Sequence, residues 1–275
     1  MWDRIEPLMP ADPVRGRRWA DHRRTLEAIA WKYRTNSPWR DLPDELGSFQ
    51  TAHKRLIRWA VDGTWEMILA AVLAAADADD DLDWTVSVDS TVVRAHQHAA
   101  GALKRGRPTP ASADHALGRS RGGLSTKIHL AADGRARPLA FTVTAGQAGD
   151  APAFETVMSR IRVPRTGPGR PRTRPLAVLA DRAYSSRAIR SHLRRRGIRA
   201  VIPQPSDQVG HRLRRGRLGG RTPGFDSQAY KQRNAVERCI NRLKQWRGLA
   251  TRTDKLAIAY QAAIHLAGIL IWTRS

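Results

Sequence analysis

Between residues 20 and 76 the apolar positions recur with a helical spacing. WADHRRTLEAIAWKYR predicts a first helix, ending before TNSPWRDLPDELG, which two prolines and a glycine punctuate. SFQTAHKRLIRWAVDG predicts a second, with Ser48 as N-cap and Gly63 as its stop. TWEMILAAVLAAA predicts a third, apolar almost all round. The acidic run DADDDLD, 77–83, lacks the ligand order and glycine of an EF-hand and reads as a solvated linker. Beyond it the period changes to two. WTVSVDSTVVRAH predicts a strand, followed by a long Gly-, Ala- and Arg-containing loop from His96 to Gly123. STKIHLAAD and RPLAFTVTAG predict an antiparallel hairpin across the turn DGRAR. GDAPAFETVMSRIR predicts a helix capped by Asp150, and PLAVLAD a short buried strand. YSSRAIRSHLRRRGI predicts a helix capped by Ser185 or Ser186 and closed by Gly197, and RAVIPQP another strand. This order implies an α/β fold, a mixed sheet covered by helices and preceded by a small all-helical region.

Two C-terminal segments complete the pattern. LAIAYQAAIHLAGILIW, 256–272, falls short of the ~20 residues that span a bilayer and carries Gln261 and His265, so it predicts a buried helix and no membrane partner. YKQRNAVERCINRLKQW, 230–246, predicts a helix with three stripes. Ala235, Val236, Cys239, Ile240, Leu243 and Trp246 share an apolar face; Lys231, Arg238, Arg242 and Gln245 lie opposite. Between them, Tyr230, Arg233, Glu237 and Lys244 align within roughly 60° of arc.

Charge narrows the function. Of 275 residues, 48 are Lys or Arg and 25 Asp or Glu, a formal charge of +23 that points to a polyanionic partner, nucleic acid before membrane. Residues 160–221 hold eighteen Arg and only two acids, Asp181 and Asp207. That stretch predicts a phosphate-binding track, within which PGRPR (168–172), like KRGRP (104–108), has the form of a minor-groove hook or of a basic loop. The three N-terminal helices suit a helix-turn-helix-like DNA-binding module, with Lys54 and Arg58 on the polar side of the second, or an ordinary helical bundle. The single cysteine, Cys239, excludes an internal disulfide and a cysteine-type zinc site and suggests a reducing compartment. The N-terminus has no signal-peptide core. His96 and His98 lack a third partner and read as surface residues.

In so basic a chain, three acids stand out. Asp181 ends the apolar strand PLAVLAD, where open sheets place ligand chemistry. Asp89 lies on an alternating strand, on the face of Ser87 and Thr91 and opposite Val86 and Val88. Glu237 sits in the helical row above. Three carboxylates from distant points of a chain can hold a pair of Mg²⁺ ions for phosphodiester chemistry, and the metal then offsets their repulsion. Arg233 and Lys244 would face phosphates, and Tyr230 a phosphate or a base.

The spacing of Tyr230, Arg233, Glu237 and Lys244 resembles the Y-R-E-K signature of bacterial insertion-sequence transposases of families four and five. VDSTVVRAHQH resembles their first acidic motif and LADRAYSS the second; WRDLPDELGSFQTAHKRLIRW and GRSRGGLSTKIHLAADG resemble regions of family five. The resemblance implies a ribonuclease-H-like DDE domain over 85–275, preceded by the helical region 1–76 and the linker 77–84. It implies Asp89, Asp181 and Glu237 as catalytic metal ligands for two Mg²⁺ (or Mn²⁺) ions. Tyr230, Arg233, Arg238, Lys244, Lys54 and Arg58 would contact double-stranded DNA: terminal inverted repeats and target. Cleavage at the ends, transfer of the 3′-hydroxyls, a DNA-bound homodimer and a cytoplasmic, nucleoid-associated location follow as expectations. Too few residues separate RAVIPQP from Tyr230 for the strand-rich insertion of some relatives. A non-catalytic repressor and a nuclease that cuts without joining are the alternatives; a repressor leaves three acids in a DNA-binding chain unexplained.

Overall fold

The computed structural model describes residues 1–15, 18–100 and 115–274, so KRGRP lies outside the described residues. Three N-terminal helices form as their patterns predict: α1 (His22–Thr35), α2 (Phe49–Val61) and α3 (Thr64–Ala78). Asp21 caps α1 by accepting from the Arg24 amide at 2.6 Å, and Asn36 ends it in the left-handed region. Ser48 occupies the N-cap position of α2, but its side chain makes no capping bond. Gly63, at φ +78°, turns the chain by 71° between α2 and α3.

The sheet comprises β1 (Thr85–Ala95), β2 (Gly118–Ser120), β3 (Gly123–Ala132), β4 (Pro138–Ala145), β5 (Ala177–Ala180), β6 (Arg199–Val201) and the two-residue β7 (Thr251–Arg252). β1 pairs antiparallel with β3, and β3 with β4; β5 and β6 extend the sheet in parallel from the other side of β1. Helices α4 (Asp150–Arg160) and α5 (Arg187–Arg195) lie in the crossovers. α6 (Ser206–Arg214) buries none of its residues, α7 (Asn234–Lys244) packs on β1 and β3, and α8 (Ala257–Thr273) closes the chain. The result is the mixed, helix-flanked sheet of the ribonuclease-H-like expectation. β2 and α6 escape the sequence pattern: GRS is too short for a period to register, and α6 has no apolar face to display one.

One hydrophobic core joins the N-terminal helices to the sheet through α8. Thirteen of the seventeen residues of α8 are buried, and it packs on α1, α2, α3 and β4. The Trp272 indole donates to the Pro138 carbonyl at 2.7 Å, and its ring stacks under the Arg137 guanidinium at 3.8 Å. Tyr33 of α1 donates to Asp254 at 2.9 Å, beside the fully buried Arg252, which donates to Thr126 at 2.7 Å. Among the described residues no single helix is long and apolar enough to cross a membrane; α2 and α3 pass that test only as a bent pair.

The acidic run is only partly solvated: Asp79 and Asp80 are exposed, but others are paired. Asp77 ends in α3, accepts from the Trp84 indole at 2.7 Å and pairs with Arg172 at 3.2 Å; Asp81 binds Arg135 and Arg137. The correction has a simple cause: a dense acidic run beside an arginine-rich chain finds partners that local pattern does not reveal.

Two measurements test this packing. Trp272→Ala removes a buried indole, its hydrogen bond and its stacked cation, and is expected to cost about 3–5 kcal/mol by urea unfolding. Burial lowers the pKa of His265 from 6.5 to about 4, so the unfolded chain takes up the proton first. The stability it contributes is therefore complete above pH 6.5 and falls as pH drops toward 4; His265→Gln should flatten that part of the Tm-versus-pH profile.

Candidate active site

The strand register brings the first two acids together. β1 and β5 run in parallel, and their last pair is Val88 with Ala180. The next residue on each chain is an acid, Asp89 and Asp181. Neighbouring strands lie about 4.8 Å apart, so these two sit side by side at the carboxyl end of β5. The Asp181 side chain also accepts from the Ala183 amide at 2.9 Å, which turns the chain out of the strand. Burial pushes the Asp89 carboxyl above its ordinary range; the Ser90 amide and Arg233 oppose this, and the nearby charges of Asp181 and Glu237 add to it.

α7 brings the third acid. Ala235, Val236, Cys239 and Leu243 are buried, as the apolar stripe predicts, and turn Glu237 outward. Arg233 connects the helix to the sheet: one nitrogen donates to Glu237 Oε1 at 2.6 Å and the other to Asp89 Oδ2 at 2.9 Å. The cation expected to face phosphate thus lies between two of the acids, where it offsets their charge.

The four-residue row is only partly realised. A tighter 3₁₀ turn, Lys231–Arg233, separates α7 from the short helix Ser227–Tyr230. The Tyr230 ring packs on Ala177, Leu179 and Val201 and meets Phe225 at 5.3 Å, while its phenol is close enough to Arg233 to act on that guanidinium. Lys244 is half-buried and donates to the Val92 carbonyl at 3.3 Å; Arg238 is exposed. Lys54 and Arg58 are exposed on α2, with the Arg58 guanidinium 4.6 Å from the Trp19 ring. The structure records no contact between these two and the acids.

A second cluster, which sequence reasoning missed, lies behind Asp89. Asp150 occupies the first position of α4 and caps nothing, correcting the expectation of a cap; Gly149 is the N-cap. Its Oδ1 accepts instead from Ser90 Oγ at 2.7 Å and Lys127 Nζ at 3.0 Å, with His129 Nδ1 3.7 Å away. Burial raises the Asp150 pKa, yet the bonds from Ser90 and Lys127 and the Lys127 charge bring it below the usual carboxylate value. His129 Nε2 lies 2.8 Å from Thr144 Oγ1, and burial lowers its pKa to about 4. The alternation K-I-H-L in β3, with two polar residues on one face, was the available signal. His96 and His98 are exposed and lie edge to face at 4.5 Å, away from any third ligand among the described residues.

The donor set of Asp89, Asp181 and Glu237 is all hard oxygen, which suits a divalent cation of the magnesium type. Among the described residues no three acids, histidines or cysteines are gathered closely enough to hold an ion as they stand. Arg233 bonds two of the three, Asp89 and Glu237.

The chain resembles known proteins over most of its length. Residues 1–69 match the family described as "Putative transposase of IS4/5 family", and residues 81–272 match "Transposase DDE domain". An uncharacterised protein, y4sN, of Sinorhizobium fredii is 40% identical over 105 residues, 38% of this chain and 79% of its own. A "Putative transposase for insertion sequence element IS6501" of Brucella ovis is 29% identical over 151 residues, 55% of this chain and 100% of its own. The "Crystal structure of the Mos1 Strand Transfer Complex" aligns over 96% of this chain and 80% of that one, at 13% identity and a TM-score of 0.26, too loosely to bear on the fold. With well over half of its length matched by the DDE domain, the chain belongs to the DDE transposase family, enzymes of DNA transposition.

Proposed function

We propose that Asp89, Asp181 and Glu237 are the catalytic carboxylates of this transposase and hold two Mg²⁺ ions. The family's general use of divalent cations and the all-oxygen donor set support this. The observation that carries the reading is the register of β1 and β5, in which the last paired residues each precede an aspartate. A hard divalent cation there supplies charge for an attacking and a leaving oxygen, the two needs of in-line phosphoryl transfer. Asp89 and Asp181 are held beside the end of β5, one by the Ser90 amide and the other by that of Ala183, so their carboxylates are oriented before substrate arrives. Glu237 is half-exposed on a helix whose apolar face is locked into the core. Its carboxylate therefore stands at the surface, where a duplex can reach it.

The partner is double-stranded DNA: the ends of the insertion sequence, then the target. Arg233 cancels part of the acid charge and can turn to an incoming phosphate; Lys244, Arg238 and Tyr230 would add further contacts. The arginines of 160–221 extend the positive surface, and Lys54 and Arg58 on α2 offer a second contact from the N-terminal helices, read as a helix-turn-helix-like module over 1–76. Two ends must be held together for joining, which calls for a homodimer on DNA.

Asp89→Ala, Asp181→Ala and Glu237→Ala are each expected to lower end cleavage and 3′-end joining by about a thousandfold or more, with end binding in a gel-shift assay retained. Cleavage surviving in any one of them removes that residue from the site, and cutting without joining by the wild type would leave a nuclease. Lys244→Ala and Arg238→Ala are expected to weaken DNA binding regardless of sequence and to lower the slope of log K against log salt by about one each.

A further inference from the structure

We propose that Ser90 and Asp150 act as a positioning pair for Asp89, a carboxylate behind the sheet setting the direction of the one in front. This rests on the reading of Asp89 as a metal ligand. Successive side chains of a strand point to opposite faces, so Ser90 and Asp89 face opposite ways on β1. Ser90 touches both acids: its amide donates to Asp89 Oδ1 at 2.7 Å and its hydroxyl to Asp150 Oδ1 at 2.7 Å. The main chain of one residue thus orients Asp89, while its side chain ties that main chain to Asp150.

The tie matters because of where it falls. β5 ends at Ala180, opposite Val88, whereas β1 runs on to Ala95. From Asp89 onward β1 keeps its antiparallel partner β3 but loses β5, until β7 pairs with Arg94. The catalytic aspartate therefore sits at the first residue of a strand stretch supported on one side only. Asp150 supplies the missing hold from behind. It is itself fixed by Lys127, which also donates to the Ala148 carbonyl at 2.7 Å, and Tyr184, buried and packed on Phe154 at 5.7 Å, closes the cluster over. A capping role would have turned the Asp150 carboxylate to the amides of α4; it makes no such bond. Residues that orient metal ligands through hydrogen bonds typically change metal affinity about tenfold or more when removed.

The test uses the full chain, with Mn²⁺ as probe in the absence of DNA, its free concentration read by electron paramagnetic resonance. Ser90→Ala and Asp150→Asn are expected to weaken Mn²⁺ binding about tenfold and to lower the kcat of end cleavage with KM for end DNA unchanged. Ser90→Thr, which keeps the hydroxyl, is expected to restore both. Ser90→Ala that binds Mn²⁺ and cleaves like wild type overturns the proposal, as does Ser90→Thr failing to differ from Ser90→Ala. If Asp150→Asn does not fold, Ser90→Ala and Ser90→Thr decide alone. Asp89→Ala is the reference: should it bind Mn²⁺ like wild type, the assignment of Asp89 as a ligand is what fails. Loss in Asp89→Ala alone confines the failure to the positioning pair.

Discussion

Carboxylates brought near one another repel, and much of the arrangement around Asp89 follows from how that repulsion is met. Asp89 stands beside Asp181 because β1 and β5 share a register, and Glu237 approaches from α7. Arg233 bonds two of these acids at once, and the cost of partial burial shows in the raised pKa of Asp89. A helix with one apolar face can hold such a guanidinium in place only if that face is rigidly docked. Ala235, Val236, Cys239 and Leu243 provide the docking.

The same logic of charge against charge recurs through the chain. The acidic run at the start of the DDE domain match is held by Arg135, Arg137, Arg165 and Arg172, two of them also stacked on tryptophans. Arg252 is buried, yet its guanidinium is spent on carbonyls and on Thr126 beneath the Tyr33–Asp254 contact. Arginine has the geometry for such duty, since its planar fork satisfies several acceptors at once. A chain of +23 therefore does not place all its cations at the disposal of DNA. Part of the excess holds the N-terminal helices, the sheet and α8 together, and the exposed remainder, Arg238 and Arg214 of α6 among them, faces outward.

Much of this was legible beforehand where local physics decides. The helical spacing of 20–76, the alternation around Asp89 and the apolar run ending at Asp181 each lead to the elements observed. Ser186 caps α5 and Gly197, at φ +65°, closes it, because capping and left-handed turns depend on residues a few positions apart. Where partners come from elsewhere, the pattern was silent or misleading. Asp150 had the look of a cap, but Ser90, sixty residues away, claimed its carboxylate. The row from Tyr230 to Lys244 was read on one continuous helix, but a 3₁₀ turn, Lys231–Arg233, interrupts it.

The sequence by itself singled out the three acids as candidates and determined the basic excess and the order of most helices and strands, because each is a matter of residue type and of periods shorter than a strand or two turns of helix. The tertiary structure decided which of those residues meet. That Val88 pairs with Ala180, that Arg233 reaches from the turn before α7 to β1, and that a lysine and a serine converge on Asp150 behind the sheet all depend on strand register and helix docking. Those are set by burial summed over the whole core, a quantity no local window contains.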